Sequence, residues 1–269
     1  MERIALGDMS LVGLIDGEFI AGPEYFGADV SFLGHEDLLA ADGKMHLPIG
    51  CFLLQGGPLE ETTVLVDAGL GEMSGESYSG GRLMGELATA GVTPGQIDQV
   101  ILTHLHVDHC GWLMDAEAQP RFPNADIWMG TADWQRFVEQ KADLMLGNVR
   151  EGLRRQAEAA KVHCVDGDKV VASGVNLLAA PGHTPGHLAV VVSSGDARAL
   201  LLGDVVTCPV QLDETDWGSM GDVDPDLARR TRQRMWDELE SSGSPGVGAH
   251  FPDLRFGRVL QGSGRRYWS

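Results

Sequence analysis

The sequence predicts an α/β fold in which two packed, mixed β-sheets are covered by helices on their outer sides. Short apolar or β-branched segments occur in two batches along the chain, and each batch is followed by stretches with helical periodicity. This order argues against a barrel of strictly alternating strands and helices. The 269 residues are 43% hydrophobic and include 36 glycines, which indicates a globular chain with many tight turns. We expect a single domain over 1–269.

The strands of the first batch are separated from one another by glycine-rich and acidic turn segments. Its predicted strands cover 10–16, 49–55, 62–67, 99–103 and 126–129. A helix over 82–90 should end at Gly91, and Thr131 should cap a second helix that carries Trp134, Phe137 and Val138. A further helical stretch is predicted over 143–160.

The second batch repeats this organisation and ends in a long helix. Its predicted strands cover 161–165, 175–180, 187–192 and 199–202. The helix should run from Asp224 and Pro225 to Glu240, because proline suits the first helical position. Four arginines alternate with apolar residues along it and are predicted to form its solvated face: Arg229, Arg230, Arg232 and Arg234.

The charge balance excludes several classes of partner. Thirty-nine acidic residues against 20 basic ones give a formal charge of -19, and no basic patch is visible that would bind nucleic acid or an anionic membrane. The sequence shows neither a signal peptide nor an apolar run long enough to span a membrane. The four cysteines form no C-x-x-C pair, so we expect a cytoplasmic protein with reduced thiols. A homo-oligomer remains open.

A cluster of metal-binding residue types follows the predicted strand 99–103. His104, His106, Asp108 and His109 lie within six residues of one another. In an extended segment, side chains at i and i+2 point the same way, so His104 and His106 can hold one ion. A turn at Val107 would direct Asp108 and His109 to another. Imidazole and carboxylate ligands suit zinc or a similar ion.

These residues form the pattern H-x-H-x-D-H, and three further motifs follow in order: G-H-T-P-G-H at 182–187, G-D at 203–204 and G-A-H at 248–250. From about residue 49 to 251 the sequence resembles the metallo-β-lactamase-fold hydrolases, and most of all their methyl parathion hydrolase-like and lactonase group. The resemblance implies a four-layer αβ/βα sandwich with helices outside two mixed sheets.

The resemblance also implies a set of metal ligands: His104, His106 and His183 for a first ion, Asp108, His109 and His250 for a second, and Asp204 bridging both. Two divalent ions are expected, zinc first, with manganese, iron or cobalt as alternatives. Asp108 and Asp204 would orient the nucleophile and are the predicted catalytic residues. His187 is placed outside the ligand set, and Asp67 is expected to brace a metal-site histidine.

The expected reaction is attack by a metal-bridging hydroxide on a neutral small-molecule ester or lactone, with aryl esters and phosphotriesters included. Thioester or β-lactam hydrolysis and a catalytically silent ligand-binding role are the alternatives. Acyl-homoserine lactonases typically place a tyrosine shortly after the bridging aspartate, but 205–208 contains none, which favours aryl substrates. The substrate is expected to be apolar or aromatic. Trp112, Trp134 and Trp217 are candidates for the pocket wall, although a tryptophan belongs to the core more often than to a substrate site.

Overall fold

The computed structural model describes residues 2–262 and 264–269, so Met1 and Ser263 lie outside the described residues. Within these ranges the larger sheet has eight strands: β1 (Arg3–Leu6), β2 (Met9–Ala21), β3 (Met45–Gly56), β4 (Val64–Val66), β5 (Tyr78–Ser79), β6 (Gln99–Ile101), β7 (Asp126–Gly130) and β8 (Val162–Val165). The strand order is β1-β2-β3-β4-β6-β7-β8, and β5 pairs with β2. Pairing is antiparallel from β1 to β4 and parallel from β4 to β8.

The smaller sheet is built from the second half of the chain. Its strands are β9 (Lys169–Ala172), β10 (Val175–Ala179), β11 (Leu188–Ser194), β12 (Ala197–Leu201) and β13 (Gly246–Val247), in the order β13-β12-β11-β10-β9. Neighbours are antiparallel except for the parallel pair β12 and β13. A separate hairpin joins β14 (Val259–Gly262) to β15 (Arg265–Trp268). Two mixed sheets form as predicted, but the strand predicted at 161–165 with the second batch lies in the larger sheet as β8, paired with β7.

The central strands are buried on both faces, which explains their continuous apolar sequence. In β3, Phe52 and Leu54 point into a core that also contains Leu177 and Val190 of the smaller sheet. The intervening Leu53 points to the opposite face, into a second core formed with the helices. Alternation of side chains along an extended strand produces this division.

The helices cover the outer faces of both sheets and complete four layers. They are α1 (Leu83–Thr89), α2 (Val107–Cys110), α3 (Thr131–Asp133), α4 (Gly147–Glu158) and α5 (Pro225–Ser242), and α3 continues as a π-helical turn over Trp134–Glu139. Apolar residues of α1 and α4 enter the second core, whereas Met235, Trp236 and Leu239 of α5 belong to the first. Among the described residues, no helix is long and apolar enough to cross a membrane.

Several expectations require correction. Thr131 is the first helical residue, and Gly130 precedes the helix in the capping position. Arg232 does not lie on a solvated face, because its side chain is 4% exposed and its guanidinium donates to the carbonyls of Val205 and Trp217. The strands β1, β5, β9 and β13 and the β14–β15 hairpin were not predicted, because each is too short to show a clear apolar alternation.

A buried carboxylate anchors the larger sheet to its helical layer. Residues Ile15 and Gly17 of β2 pair with adjacent residues of β3, so Asp16 is the extra residue of a β-bulge and turns inward. Its fully buried carboxylate accepts hydrogen bonds from the amides of Leu70, Gly71, Gly81 and Leu83 and from the indole of Trp112. These bonds fix the start of α1 and the loop after β4. They also hold Trp112 in the core.

We expect Asp16→Ala to lower the free energy of unfolding by about 3 kcal/mol or more, because each buried donor left without an acceptor costs about 1–3 kcal/mol. Urea unfolding followed by circular dichroism measures the difference. Asp8→Ala is the control: Asp8 is exposed just before the same strand, and its loss should change stability by less than about 0.5 kcal/mol. Equal stability of the two variants would contradict this role for Asp16.

Candidate metal centre

The polar cluster is built where two parallel strands end side by side. β4 ends at Val66 and β6 at Ile101, and these two residues are paired in register. Asp67 follows in the left-handed region (φ 61°), which aspartate tolerates better than most residues. Its carboxylate accepts the Thr103 amide at 2.8 Å and lies 2.8 Å from His109 Nδ1, so Asp67 braces a histidine of the cluster as predicted.

Three buried imidazoles converge just beyond this edge. His104 Nε2 lies 3.0 Å from His106 Nδ1, which in turn lies 3.1 Å from Nε2 of His183. His104 and His106 come from the segment after β6, and His183 comes from the loop between β10 and β11 of the other sheet. The ligand atoms of all three lie within 4.8 Å of one another. The chain turns into α2 at Val107, where the sequence predicted a turn.

A second group lies beside the first. Asp108 Oδ2 is 3.8 Å from His109 Nε2 and 3.6 Å from His250 Nε2. Asp204, which follows β12, is placed between the two groups. Its Oδ2 lies 3.5 Å from His183 Nε2, and its Oδ1 lies 3.3 Å from His109 Nε2 and 3.1 Å from His250 Nε2. The structure thus brings together every predicted ligand.

Burial and mutual repulsion keep His104 and His106 neutral. Burial, followed by the charges of His109 and His106, lowers the pKa of His104 well below its usual value. Burial and then His183 lower the pKa of His106 to about 3. These rings therefore offer lone pairs at neutral pH, which a metal ligand requires.

In the second group, the charges of nearby carboxylates outweigh the effect of burial on the histidines. Burial opposes protonation of His109, but the carboxylates of Asp204, Asp67 and Asp108 raise its pKa well above the usual value. Burial alone would raise the pKa of Asp204, yet His250 and His109 hold it well below its usual range. Without a metal, Asp204 is compensated by protonated histidines. A divalent cation would replace those protons, so the charge balance of the site suits one.

Unsatisfied buried atoms also fit metal ions. Among the described residues, His109 Nε2 and Asp204 Oδ1 are buried and have no hydrogen-bond partner, although they face each other. Imidazole and carboxylate donors are the set expected for zinc or another first-row ion. The residues present therefore fit the expected group.

An apolar pocket of about 210 Å³ opens above Asp108 and Asp204. Its apolar walls are Phe19, Tyr25, Val107, Leu144 and Met220. Leu144 and Met220 are 57% and 68% exposed and stand at the mouth. None of the three candidate tryptophans lines this pocket. Trp112 is held by Asp16, Trp134 donates to Glu139, and Trp217 packs behind the pocket against Phe26.

Tyr25 is a residue of the site that the sequence did not reveal. The residues that directly follow Asp204 include no tyrosine. The structure instead brings Tyr25 in from the N-terminal part of the chain, where it lines the pocket together with Asp204. Its hydroxyl accepts a hydrogen bond from Ser219 Oγ at 3.1 Å. Burial and then the Asp204 charge raise the pKa of Tyr25, which keeps the phenol protonated.

The sequence profile described as the Metallo-beta-lactamase superfamily matches residues 47–240, well over half of the chain. The chain belongs to this superfamily. The four-layer αβ/βα sandwich expected from the sequence is confirmed. The match contains the motifs of His104 to His109, His183 and Asp204 and ends before His250.

Curated members of the superfamily include lactonases similar to this chain. An N-acyl homoserine lactonase from Bacillus sp. is 28% identical over 178 residues, 59% of this chain. The chain spans 63% of the length of that relative, just under two thirds. An N-acyl homoserine lactonase from Bacillus thuringiensis is 26% identical over 211 residues, which are 72% of this chain and 77% of that one. The likeness to lactonases predicted from the sequence is confirmed.

Solved structures of the superfamily match nearly the whole chain. AidC, a dizinc quorum-quenching lactonase in complex with the product N-hexanoyl-L-homoserine, has a TM-score of 0.86 at 24% identity and covers 100% of this chain and 96% of its own. The hydrolase AbOPH has a TM-score of 0.85 at 22% identity, with 99% and 95% covered. At 24% and 22% sequence identity, these structural similarities show that the proteins share a fold.

Asp133 also escaped prediction, and it joins the loops that carry the histidines of the first group. Its buried carboxylate accepts the amides of Leu105 (3.2 Å) and Gly186 (2.6 Å) and the hydroxyl of Thr184 (2.8 Å). Burial raises the pKa of Asp133 to about 6. Nothing in the sequence around Thr131 indicated this role, because the two loops meet only in the folded chain.

His183 and His187 belong to one sequence motif but have different surroundings. His187 Nε2 accepts the backbone amide of Asp204 at 3.0 Å and belongs to none of the groups of converging ligand atoms. We expect His183→Ala to lose about one equivalent of zinc per chain. His187→Ala should keep both zinc ions but bind them more weakly, because loss of a residue that supports a metal ligand typically lowers metal affinity 10–100-fold. Metal analysis after dialysis in a zinc buffer compares them. Equal loss of zinc would refute the distinction.

Proposed function

We propose that this protein is a dinuclear metal-dependent hydrolase that opens neutral lactones. The observation that carries the proposal is the position of Asp204 between two buried groups of ligand atoms, directly under an apolar pocket. Lactonase relatives within the same superfamily support the choice of reaction.

In this proposal His104, His106 and His183 hold the first ion, and Asp108, His109 and His250 hold the second, with Asp204 shared. Zinc is the first candidate, as in the dizinc relative AidC. The ions would supply a hydroxide nucleophile near neutral pH and polarise the substrate carbonyl. The chain itself orients these groups through Asp108 and Asp204, and its apolar walls exclude water from the reacting bond.

The pocket favours neutral substrates that carry an apolar substituent. Phe19 packs edge-on against the His250 ring at 4.8 Å and gives the floor an aromatic side, while Leu144 and Met220 extend the apolar wall to the mouth. A formal charge of -19 disfavours anionic phosphodiesters or thioesters. The N-acyl homoserine lactones named for the relatives are neutral and carry such a chain, so they are the first substrates to test.

The absence of a tyrosine directly after Asp204 favoured aryl substrates over aliphatic lactones. Tyr25 supplies a tyrosine at the pocket, so this argument against aliphatic lactones no longer holds. An aliphatic alkoxide is a poor leaving group and gains from a proton donor, whereas a phenolate leaves without one. Because Ser219 donates to the Tyr25 oxygen, the phenol proton is available to another acceptor. We propose that Tyr25 donates it to the oxygen of the opening lactone.

A substrate panel tests the function. It contains an N-acyl homoserine lactone, an aryl lactone, an aryl ester, a phosphotriester, a β-lactam and a glutathione thioester, each assayed with zinc- and manganese-loaded protein. We expect a lactone to give the highest kcat/KM, and Asp204→Ala to lose activity together with metal. A tenfold preference for the β-lactam or thioester, about 1.4 kcal/mol in the transition state, would overturn the lactonase assignment. Two bound metals without turnover of any substrate would favour a silent ligand-binding member.

The role of Tyr25 makes a separate prediction. We expect Tyr25→Phe to lower kcat for an aliphatic lactone by roughly 10²-fold, but kcat for an aryl lactone by only about threefold, because the phenolate needs no proton. Tyr78→Phe is the matched control, since Tyr78 lies in β5, outside the pocket. An equal loss on both substrates would show that Tyr25 shapes the pocket without donating a proton.

A further inference from the structure

A buried carboxylate outside the predicted ligand set faces one of the cluster histidines. Asp222 lies in the loop that precedes α5, and its side chain is 3% exposed. Its Oδ1 is 2.9 Å from Nδ1 of His183, the ring nitrogen opposite the one that faces His106. The loop that carries Asp222 has no part in the histidine motifs.

The same loop holds His183 from two other directions. The amide of Val223 donates to the His183 carbonyl at 2.9 Å. Gly221 lies against the ring so closely that an added Cβ would be 2.8 Å from His183 Cε1. His183 is therefore fixed in both backbone and ring by consecutive residues 221–223. Gly221 and Met220 also line the pocket, so the loop that orients His183 forms part of the substrate wall.

The charge of Asp222 is itself compensated within the core. Its Oδ2 accepts the Ser219 amide at 3.0 Å and lies 3.5 Å from the guanidinium of Arg232. Arg232 is buried on α5 and donates to the carbonyls of Val205 (2.9 Å) and Trp217 (2.7 Å). The carboxylate is thus held in a fixed orientation by the Ser219 amide and the Arg232 guanidinium. The contact with Asp222 explains why Arg232 turns inward, whereas the other arginines of α5 are exposed.

The other histidines of the first group lack such a partner. The free nitrogen of His104 faces the Thr103 hydroxyl at 3.2 Å, and that of His106 has no hydrogen-bond partner among the described residues. In the second group, His109 has Asp67 at 2.8 Å. Each group therefore contains a histidine backed by a carboxylate.

We propose that Asp222 is the positioning residue of the first metal. It accepts the Nδ1 proton of His183, which leaves the Nε2 lone pair directed at the ion and makes the imidazole a stronger donor. Arg232 holds Asp222 in place for this purpose. The inference rests on the metal centre proposed above, and zinc binding measured without substrate separates it from the proposed lactonase activity.

The test compares Asp222→Asn with Asp224→Asn by zinc titration against a chromophoric chelator. Asp224 lies two residues away, is exposed, and caps α5 by accepting the Leu227 amide. Asparagine caps a helix equally well, so this control removes a charge from the same loop and leaves the fold intact. We expect the wild-type protein and the control to bind two zinc ions with equal affinity. Asp222→Asn should weaken one of the two sites by about 10-fold or more.

Equal zinc affinity of Asp222→Asn and the wild-type protein at both sites would overturn the inference and leave the lactonase proposal standing. A wild-type protein that binds no zinc would overturn both. A second measurement needs no variant and so does not depend on its folding. In ¹⁵N spectra of the zinc-loaded wild-type protein, His183 should carry its proton on Nδ1 and coordinate through Nε2. The reverse arrangement would exclude an acceptor role for Asp222.

Discussion

The contact of Asp204 with the histidines of the facing sheet is the interaction on which the polar centre depends. Asp204 follows a strand of the smaller sheet, whereas His109 follows a strand of the larger one. Both are buried, and a buried charge is costly unless opposite charges lie close to it. The two sheets can therefore pack with polar groups at this edge only if the carboxylate and the imidazoles meet, and a metal cation would complete the same compensation.

Around this contact, supporting carboxylates come from three separate parts of the chain, and the sequence predicted only Asp67 among them. Asp67 and Asp222 each back one histidine, and Asp133 ties the loops of both sheets together. Such contacts fix the ring orientation before any ligand binds, so little rearrangement is needed on binding. The centre is thus a property of the packed sheets as much as of the histidines themselves.

The pocket is formed by different segments of the chain from those that carry the polar centre beneath it. The segment between β2 and β3 packs its Phe26 and Phe32 against Trp217, forming a third apolar cluster on top of the sandwich. This packing brings Tyr25 beside Ser219. Loops laid over a rigid scaffold commonly determine which substrate is accepted. The cluster of histidines and aspartates and the pocket walls come from different parts of the chain, so the walls can change without changing the cluster.

The sequence by itself predicted the two sheets and the helical layers from local periodicity, and its motifs predicted the histidines and aspartates that the fold brings together. His104 to His109 lie within six residues at the start of α2, and Asp224 with Pro225 begins α5 where expected. Only the tertiary structure decided that Tyr25 reaches the pocket, that Trp112 does not, and that Arg232 turns inward to Asp222. Those three outcomes depend on contacts between residues far apart in sequence, and burial of a polar group is settled by the partner it finds in the folded chain.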